Sequence, residues 1–488
     1  MNDITSMPAL KLARMIKDKE LSVSEVVDQQ LKVIYEREPL YNSYITIIDD
    51  GAHAQAKLVQ QRIDAGELKD SPLAGVPIAI KDNICTKSVR TTCASKMLEN
   101  FVPIYDATVI ERLKDAGAIL IGKANLDEFA MGSSTKTSYF GSSKNPWNTD
   151  HIPGGSSGGS ATVVSGEEAF VSLGSDTGGS IRQPASYCGL VGFKPTYGTV
   201  SRYGLVALAP SMDQIGPFAR CISDCVAVLE VISGYDPKDS TSINIKSYSY
   251  KEALVDDIKD MKIGVPKLYL EEDIDDDISS NFSDAVKIFE DMGAQIEYFD
   301  MDILKYSPQS YYVIACVEAN SSLARFDGVQ YGYRTDEYER LTDLYKKSRS
   351  EAFGDEVKRR IMLGAFAQGP DNYDAYHNKA MKVRRLIYNE YQEVFNKYDI
   401  LLSPESLTTA PHFSYNNNDP KDKYRSEMLN VSVNLAGLPA VSIPCGRDRK
   451  GLPIGIQLVG NQFGEKSIIN AAYAFEQARP YVRPSTLL

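Results

Sequence analysis

The stretch "ATVIERLKDAGAILIGKAN" (107–125) constrains the fold more than any other feature of the chain. Val109, Ile110 and Leu113 recur at helical spacing, Gly117 stops the helix, and "AILIG" is a short continuous apolar run of the kind that forms a buried strand. The same alternation returns elsewhere. "AHAQAKLVQQRIDAG" (52–66) reads as a helix ending at Gly66, and "GVPIAIKDN" as a buried strand running into a polar end. "MKIGVPK" (261–267) and "GAQIEYFDM" (293–301) read as strands flanking a helix from about 278 to 292. Strands that alternate with helices define an α/β chain.

The first seventy residues (1–70) form a mainly helical N-terminal region. In "LSVSEVVDQQLKVIYERE", Ser22 and Glu25 make a capping box ahead of an apolar face of Val27, Leu31 and Ile34, and "NSYITIID" (42–49) alternates like a strand. The stretch 303–400, rich in Tyr, Arg and Lys, reads as a mainly helical cap over the site. No internal repeat, low-complexity segment or linker divides the chain, so all 488 residues (1–488) are expected to form one domain.

Composition excludes several functions. A net charge of −12 gives a poor surface for gripping a polyanion, because nucleic-acid binding rests on Lys and Arg neutralising phosphates. The N-terminus has no basic segment followed by an apolar one, and the longest apolar runs, such as "VAVLEVI" (226–232), fall far short of a membrane span. Seven scattered cysteines without C-x-x-C spacing, and only four histidines, point to a cytosolic chain with reduced thiols and no zinc site.

The chemistry concentrates in three segments: "PIAIKDN" with Lys81, "PGGSSGGSA" with Ser156, and "GSDTGGSIRQPAS" (174–186) with Ser180. A serine hydroxyl is a weak nucleophile and needs an adjacent base. Of the four histidines, His53, His151, His377 and His412, none lies within twenty residues of Ser180. Lysine can serve if it is neutral, which requires lowering its pKa from about 10.4 toward 7, a differential of roughly 4–5 kcal/mol. Burial at the end of an apolar strand supplies part of that, a second serine can relay the proton, and Gly178 and Gly179 let backbone amides approach a developing oxyanion.

Three other patterns compete. Gly154-Gly155-Ser156-Ser157-Gly158 fits the G-x-S-x-G nucleophile elbow, with His377 or His412 to close a triad. "DTG" (176–178) resembles an aspartic-protease triplet but has no second copy. "EEDIDDDI" (271–278) spaces Asp273, Asp275 and Asp277 like a calcium loop, yet Ile278 stands where glycine is required, so acidic residues at a helix N-terminus are the better reading.

Taken together, the three segments resemble the amidase signature family, over about residues 70–230 and again at "NLAGLPAVSIPCG" (434–446) and "LPIGIQLVG" (452–460). The resemblance implies a large mixed β-sheet sandwiched between helices and a Ser–cis-Ser–Lys triad. Ser180 is then the nucleophile, Ser156, after a cis Gly155–Ser156 peptide, the relay, and Lys81 the general base; the amides of Thr177, Gly178, Gly179 and Ser180 form the oxyanion hole. "KPTYGTVSRYGLVALAPSMDQIGPFAR", "NSSLARFDGVQYG" (320–332) and "GDEVKRRIMLG" (354–364) narrow the likeness to the A subunits of glutamyl-tRNA(Gln) amidotransferases. These hydrolyse glutamine and pass ammonia to a B subunit, which uses ATP and Mg²⁺ to amidate Glu-tRNA(Gln), with a small C subunit bracing the pair. The implied cofactor content of this chain is none, its metal sites none, and its location the cytoplasm or an organellar matrix or stroma. Asp-tRNA(Asn) is an alternative acceptor for the ammonia.

Glutamine carries an α-carboxylate and an α-amine, so its site pairs an Arg with an acid. By resemblance, Arg360 is the carboxylate partner, with Arg359 the neighbour that competes for the role, and Tyr311 lines the pocket. The ammonium partner falls on Glu427, seven residues before Asn434, where the family has Asp. "AQGPDNYDAYH" (367–377) and "SPESLTTAP" (403–411) also depart from the family pattern. All three departures lie on the substrate side. They leave open a related amidase acting on a different small amide; a non-catalytic scaffold is opposed by the intact Lys81, Ser156 and Ser180.

Overall fold

The computed structural model of the protein describes residues 4–245, 248–271, 273–415 and 420–487. Eleven strands form one mixed sheet among them: β1 (Tyr44–Ile47), β2 (Pro77–Lys81), β3 (Ile119–Ala124), β4 (Val171–Asp176), β5 (Val191–Lys194), β6 (Gln214–Ala219), β7 (Lys262–Pro266), β8 (Gln295–Phe299), β9 (Ile400–Pro404), β10 (Ala440–Arg447) and β11 (Pro453–Gly460). The order across the sheet is β1-β3-β2-β4-β6-β5-β10-β11-β9-β7-β8. β2 runs parallel to both β3 and β4, and β7 runs parallel to both β8 and β9. The strands between these two parallel groups pair antiparallel, from β4–β6 through β9–β11. The large mixed sheet flanked by helices is therefore present as the resemblance implied.

Local signals in the sequence set the helix ends. The capping box closes in both directions at helix Val23–Tyr41, Ser22 N–H donating to Glu25 Oε2 at 2.8 Å and Glu25 N–H to Ser22 Oγ at 3.2 Å. Gly66 and Gly117 both take positive φ just past their helices, Asp49–Asp64 and Thr108–Asp115. Of the acidic run at 271–278, Glu272 lies outside the described residues; Asp275 caps helix Asp276–Asp291, its side chain accepting from the Asp277 amide, and no group of residues suited to a metal ion occurs among the described residues.

Two large apolar bodies build most of the interior, beside a small third one of Ile152, Tyr187 and Ala410. One packs the N-terminal helices and helices Ile222–Ile232 and Glu465–Ala478 on the sheet through residues such as Leu12, Val27, Ile80, Leu173, Val228 and Phe475. The other joins helices Ser307–Leu323, Asp355–Gln368, Lys379–Val394 and Pro420–Ala436 through Tyr311, Ile314, Val357, Ile387 and Leu429. Helix Ser307–Leu323 packs against the other three and faces the strand ends that carry the signature.

β4 runs further than its apolar residues. The apolar run "AFVSL" ends at Leu173, but the strand continues through Gly174, Ser175 and Asp176, paired with Gly216, Ile215 and Gln214 of β6. Ladder hydrogen bonds do not depend on side-chain polarity, so pairing extends into a segment whose composition reads as a turn. That extension carries Ser175 alongside the end of β2.

Candidate active site

Lys81 is the last residue of β2, and its side chain is fully buried. Nζ lies 2.8 Å from Ser156 Oγ, 2.8 Å from Ser157 Oγ, 2.9 Å from Ser175 Oγ and 3.2 Å from the Ser175 carbonyl. Burial drives the ammonium from 10.5 down to about 7, against the pull of Asp127, Asp176 and Asp213. A shift of that size corresponds to about 5 kcal/mol against the charged form.

Hydrogen-bond direction follows from the partners. Ser157 Oγ–H donates to the Ser175 carbonyl at 3.0 Å, so Ser157 accepts from Lys81. Asn83 Nδ2 donates to Ser175 Oγ at 3.0 Å, which leaves Ser175 a second lone pair for Lys81. A neutral amine has two N–H donors and one lone pair. With both donors directed at Ser157 and Ser175, the lone pair faces the remaining hydroxyl, that of Ser156.

Ser156 is fully buried in the loop ahead of helix Gly158–Ser165, after a cis Gly155–Ser156 peptide. Ser180 follows β4 and precedes helix Arg182–Tyr187; its carbonyl accepts from the Ser157 amide at 3.2 Å, which ties the two serine loops together. Ser180 lines a cleft with Gly178, Gly179, Gly155, Gln183 and Asn430 and is partly exposed to it. Among the described residues Ser180 Oγ makes no hydrogen bond, so its link to Ser156 is not closed in this structure.

The two glycines have separate reasons. Gly179 sits at φ +117°, a region that disfavours side chains, and a Cβ there would lie 2.8 Å from Asn430 Cβ. At Gly178 a Cβ would lie 2.6 Å from Tyr311 Cζ, so the backbone approaches the tyrosine ring directly. The turn also alters the expected oxyanion set. The Gly179 amide donates to Asp176 Oδ1 at 2.7 Å and is committed there, whereas the amides of Thr177, Gly178 and Ser180 have no protein acceptor among the described residues.

Asp176 holds this turn in place. It accepts from the Ile181 amide at 3.1 Å and pairs with Arg182, Nε to Oδ2 at 3.1 Å, both side chains fully buried. Arg182 reaches on to Asn434 Oδ1 at 2.6 Å and Gln457 Oε1 at 2.5 Å. Burial alone raises the Asp176 carboxyl, but the charge and hydrogen bonds of Arg182 outweigh it and hold the group well below the usual carboxylate range. Asp176 is thus a structural anion, and the protease reading of "DTG" has no support in its surroundings.

The rest of the cleft wall comes from helices. Tyr311 (Ser307–Leu323), Arg360 (Asp355–Gln368) and Glu427 (Pro420–Ala436) all line the same cleft as Ser180. Arg360 is 3% exposed, donates from Nε to Glu356 at 2.8 Å, and has its guanidinium 5.6 Å from the Tyr312 ring centroid. Its two Nη groups make no hydrogen bond to a described residue, which leaves the fork free for a carboxylate. Arg359 is 42% exposed, spends Nε and Nη2 on Glu356, and does not line the cleft. Burial pushes the Tyr311 phenol up, and Glu427 nearby adds to the shift.

Sequence reasoning missed four residues here: Ser157, Ser175 and Asn83 around Lys81, and Asp127. Asp127 accepts from the amides of Ser134 at 3.1 Å and Thr135 at 2.9 Å and so shapes the loop that brings Gly132 and Ser133 to the cleft. The available signal was the register of β2 and β4, with Ile80 beside Leu173, which puts Lys81 and Ser175 at the same sheet end. The histidines are elsewhere: His151 and His412 contact each other edge to face at 5.5 Å, His377 stacks on Tyr373, and none lines the cleft.

A profile of the amidase family matches residues 25–469. The A subunit of a glutamyl-tRNA(Gln) amidotransferase from Lachnoclostridium phytofermentans is 54% identical over 492 residues, covering 99% of this chain and 100% of that protein. The crystal structure of the A subunit of a glutamyl-tRNA(Gln) amidotransferase from Thermotoga maritima superimposes with a TM-score of 0.82 at 39% identity, covering 99% of this chain and 97% of that one. A peptide amidase solved with the inhibitor chymostatin gives a TM-score of 0.84 at 27% identity, covering 98% and 99% of the two chains.

Proposed function

We propose a function on one premise: this chain belongs to the amidase family and, within it, to the A subunits of glutamyl-tRNA(Gln) amidotransferases. It hydrolyses glutamine to glutamate and ammonia, and the ammonia serves a partner subunit that amidates Glu-tRNA(Gln). The observation that carries the chemistry is Lys81 Nζ, buried and 2.8 Å from Ser156 Oγ.

The residue roles follow from that geometry. Glutamine enters with its α-carboxylate on the Arg360 fork and its α-ammonium toward Glu427, beside Tyr311. With the cleft filled, Ser156 and Ser180 close their hydrogen bond; catalytic contacts commonly tighten only when substrate is bound. Ser180 Oγ attacks the side-chain amide carbon, its proton passes to Ser156, and the Ser156 proton passes to Lys81 Nζ. The amides of Thr177, Gly178 and Ser180 receive the oxyanion, each such donor being worth about 3 kcal/mol where measured. The proton returns through Ser156 to the leaving nitrogen and ammonia departs. Water then attacks the Ser180 ester through the same relay in the same direction, releasing glutamate and restoring the serine.

The assembly is a heterotrimer with B and C subunits, in which B binds ATP, Mg²⁺ and the tRNA. The acidic surface of this chain supports tRNA being held elsewhere, and no helix among the described residues is long and apolar enough to cross a membrane. We place the assembly in the cytoplasm or an organellar matrix or stroma. A second reading, an amidase for another small amide, draws on Glu427 and on Glu405, a fully buried carboxyl that burial pushes well above its ordinary range. Ammonia release from glutamine, asparagine and simple or arylalkyl amides by the partner-bound protein separates the two. Preference for glutamine, abolished by Ser180→Ala, supports the glutaminase function; preference for an unrelated amide overturns it.

A further inference from the structure

A second cavity, about 990 Å³ in volume, opens between the 96–105 loop, the 205–207 segment and the 322–334 stretch. Its floor is apolar, built from Met97, Leu98, Phe101, Leu205, Val206 and Phe326. Its rim exposes further apolar surface: Val102 is 49% accessible, Tyr331 57% and Ile104 87%. Contiguous exposed apolar surface rimmed by polar groups marks an interaction site.

The charge of the groove runs against that of the chain. Acids outnumber bases overall, 65 to 53, yet the groove is lined by Lys96, Arg325 and Arg334 with Glu99 as the one acid. None of these three cations forms an ion pair with a carboxylate among the described residues. Lys96 Nζ lies 4.3 Å from the Tyr333 ring centroid, Arg325 Nε donates to the Ser322 carbonyl at 3.0 Å, and Arg334 donates to Tyr338 Oη at 2.7 Å. The occupant that matches an apolar floor with unpaired cations around it brings apolar side chains and carboxylates. Three cations are too few for a polyanion, whose binding needs many phosphates neutralised. The groove also touches the back of the catalytic centre. The Val206 amide donates to the Asn83 carbonyl at 2.9 Å, and the Phe326 ring lies 5.2 Å from that of Phe129, next to the cleft residue Ala130.

We propose that this groove is where a partner subunit docks on the chain, through an apolar segment flanked by aspartate or glutamate. The proposal rests on the glutaminase function argued above. Seated there, the segment contacts the residues that hold the Lys81 loop from behind, so the partner is sensed two residues from the general base.

The test titrates complex formation between the full-length chain and its purified B and C subunits, for the native protein, Ile104→Asp and the double variant Lys96→Glu/Arg325→Glu. Unchanged melting temperatures establish that the variants fold. Both variants are expected to weaken the complex about tenfold or more, the range of central interface residues, and the charge reversal is expected to lose part of its effect at high salt. Native-like affinity in both variants overturns the docking site while leaving the function standing. A native chain that binds neither B nor C overturns the function and the docking site together. Variants that bind both partners normally but lose self-association or tRNA binding assign the groove to a second copy or to nucleic acid, and the proposal fails.

Discussion

The two walls of the catalytic cleft are built differently. The wall that carries Lys81, Ser156 and Ser180 comes from the end of β2, the loop ahead of helix Gly158–Ser165 and the turn after β4, and the lysine has a protein partner for every donor. The wall that carries Tyr311, Arg360 and Glu427 comes from three separate helices, and part of its hydrogen-bonding capacity faces the open cleft. Hydrogen bonds between its own segments tie the first wall together, whereas the second depends on how three helices pack. Of the sequence departures, Glu427 lies on the helical wall, 367–377 leads out of helix Asp355–Gln368, and 403–411 begins in β9. On the proposed function, the first wall carries the reacting groups and the second meets the glutamine backbone.

The most damaging change on the sheet wall is Ser180→Ala. Glutamine hydrolysis is expected to fall by about 10⁴-fold or more, with loss of labelling by a serine-reactive probe, because residues acting as a unit fail together. Lys81→Ala follows, with a loss of roughly 10²–10⁴-fold for a missing general base. The native protein sharpens that point through pH. In its proposed role Lys81 acts as the neutral amine, and burial places it at about 7, so kcat/KM is expected to rise with pH up to about 7 and level off above it. A profile that instead shifts when His377 or His412 is replaced would break the assignment of the base.

On the helical wall the effects are smaller and of another kind. Arg360→Ala is expected to raise the glutamine KM by about 10- to 100-fold, the value of a hydrogen-bonded charge, with kcat for a simple amide little changed. Arg359→Ala is expected to leave KM within about twofold, because its guanidinium is already committed to Glu356 outside the cleft. Glu427→Asp shortens the carboxylate by one methylene, and its expected effect on KM is modest, within about tenfold. A loss from Glu427→Asp as large as that from Ser180→Ala would erase the distinction between the walls.

The sequence made the sheet wall far easier to read than the helical one. Lys81, Ser156 and Ser180 sit in short glycine-rich or strand-end segments whose chemistry is local, and the expected neutral lysine agrees with its burial. The capping box at Ser22 and the glycine stops at 66 and 117 are local too, and the helices end where they indicate. Ser175 and Asn83 were not legible, because their value depends on which strands are neighbours, and Ser175 is 94 residues from Lys81. The commitment of the Gly179 amide to Asp176 had a local signal, an Asp three residues ahead in a Gly-rich turn, whose side chain is placed to accept from the backbone. Arg360 and Arg359 are adjacent in sequence, and only the packing of helix Asp355–Gln368 decides which one enters the cleft.

The central claim is that lysine, acting through a second serine, activates Ser180. Peptide mass spectrometry of the partner-bound protein, quenched during glutamine turnover, tests it most directly. A glutamyl ester is expected on the peptide carrying Ser180, and is expected to be absent in Lys81→Ala. An ester on Ser156 instead, formed by a protein that retains it without Lys81, would contradict the lysine relay and return the nucleophile elbow with a histidine base.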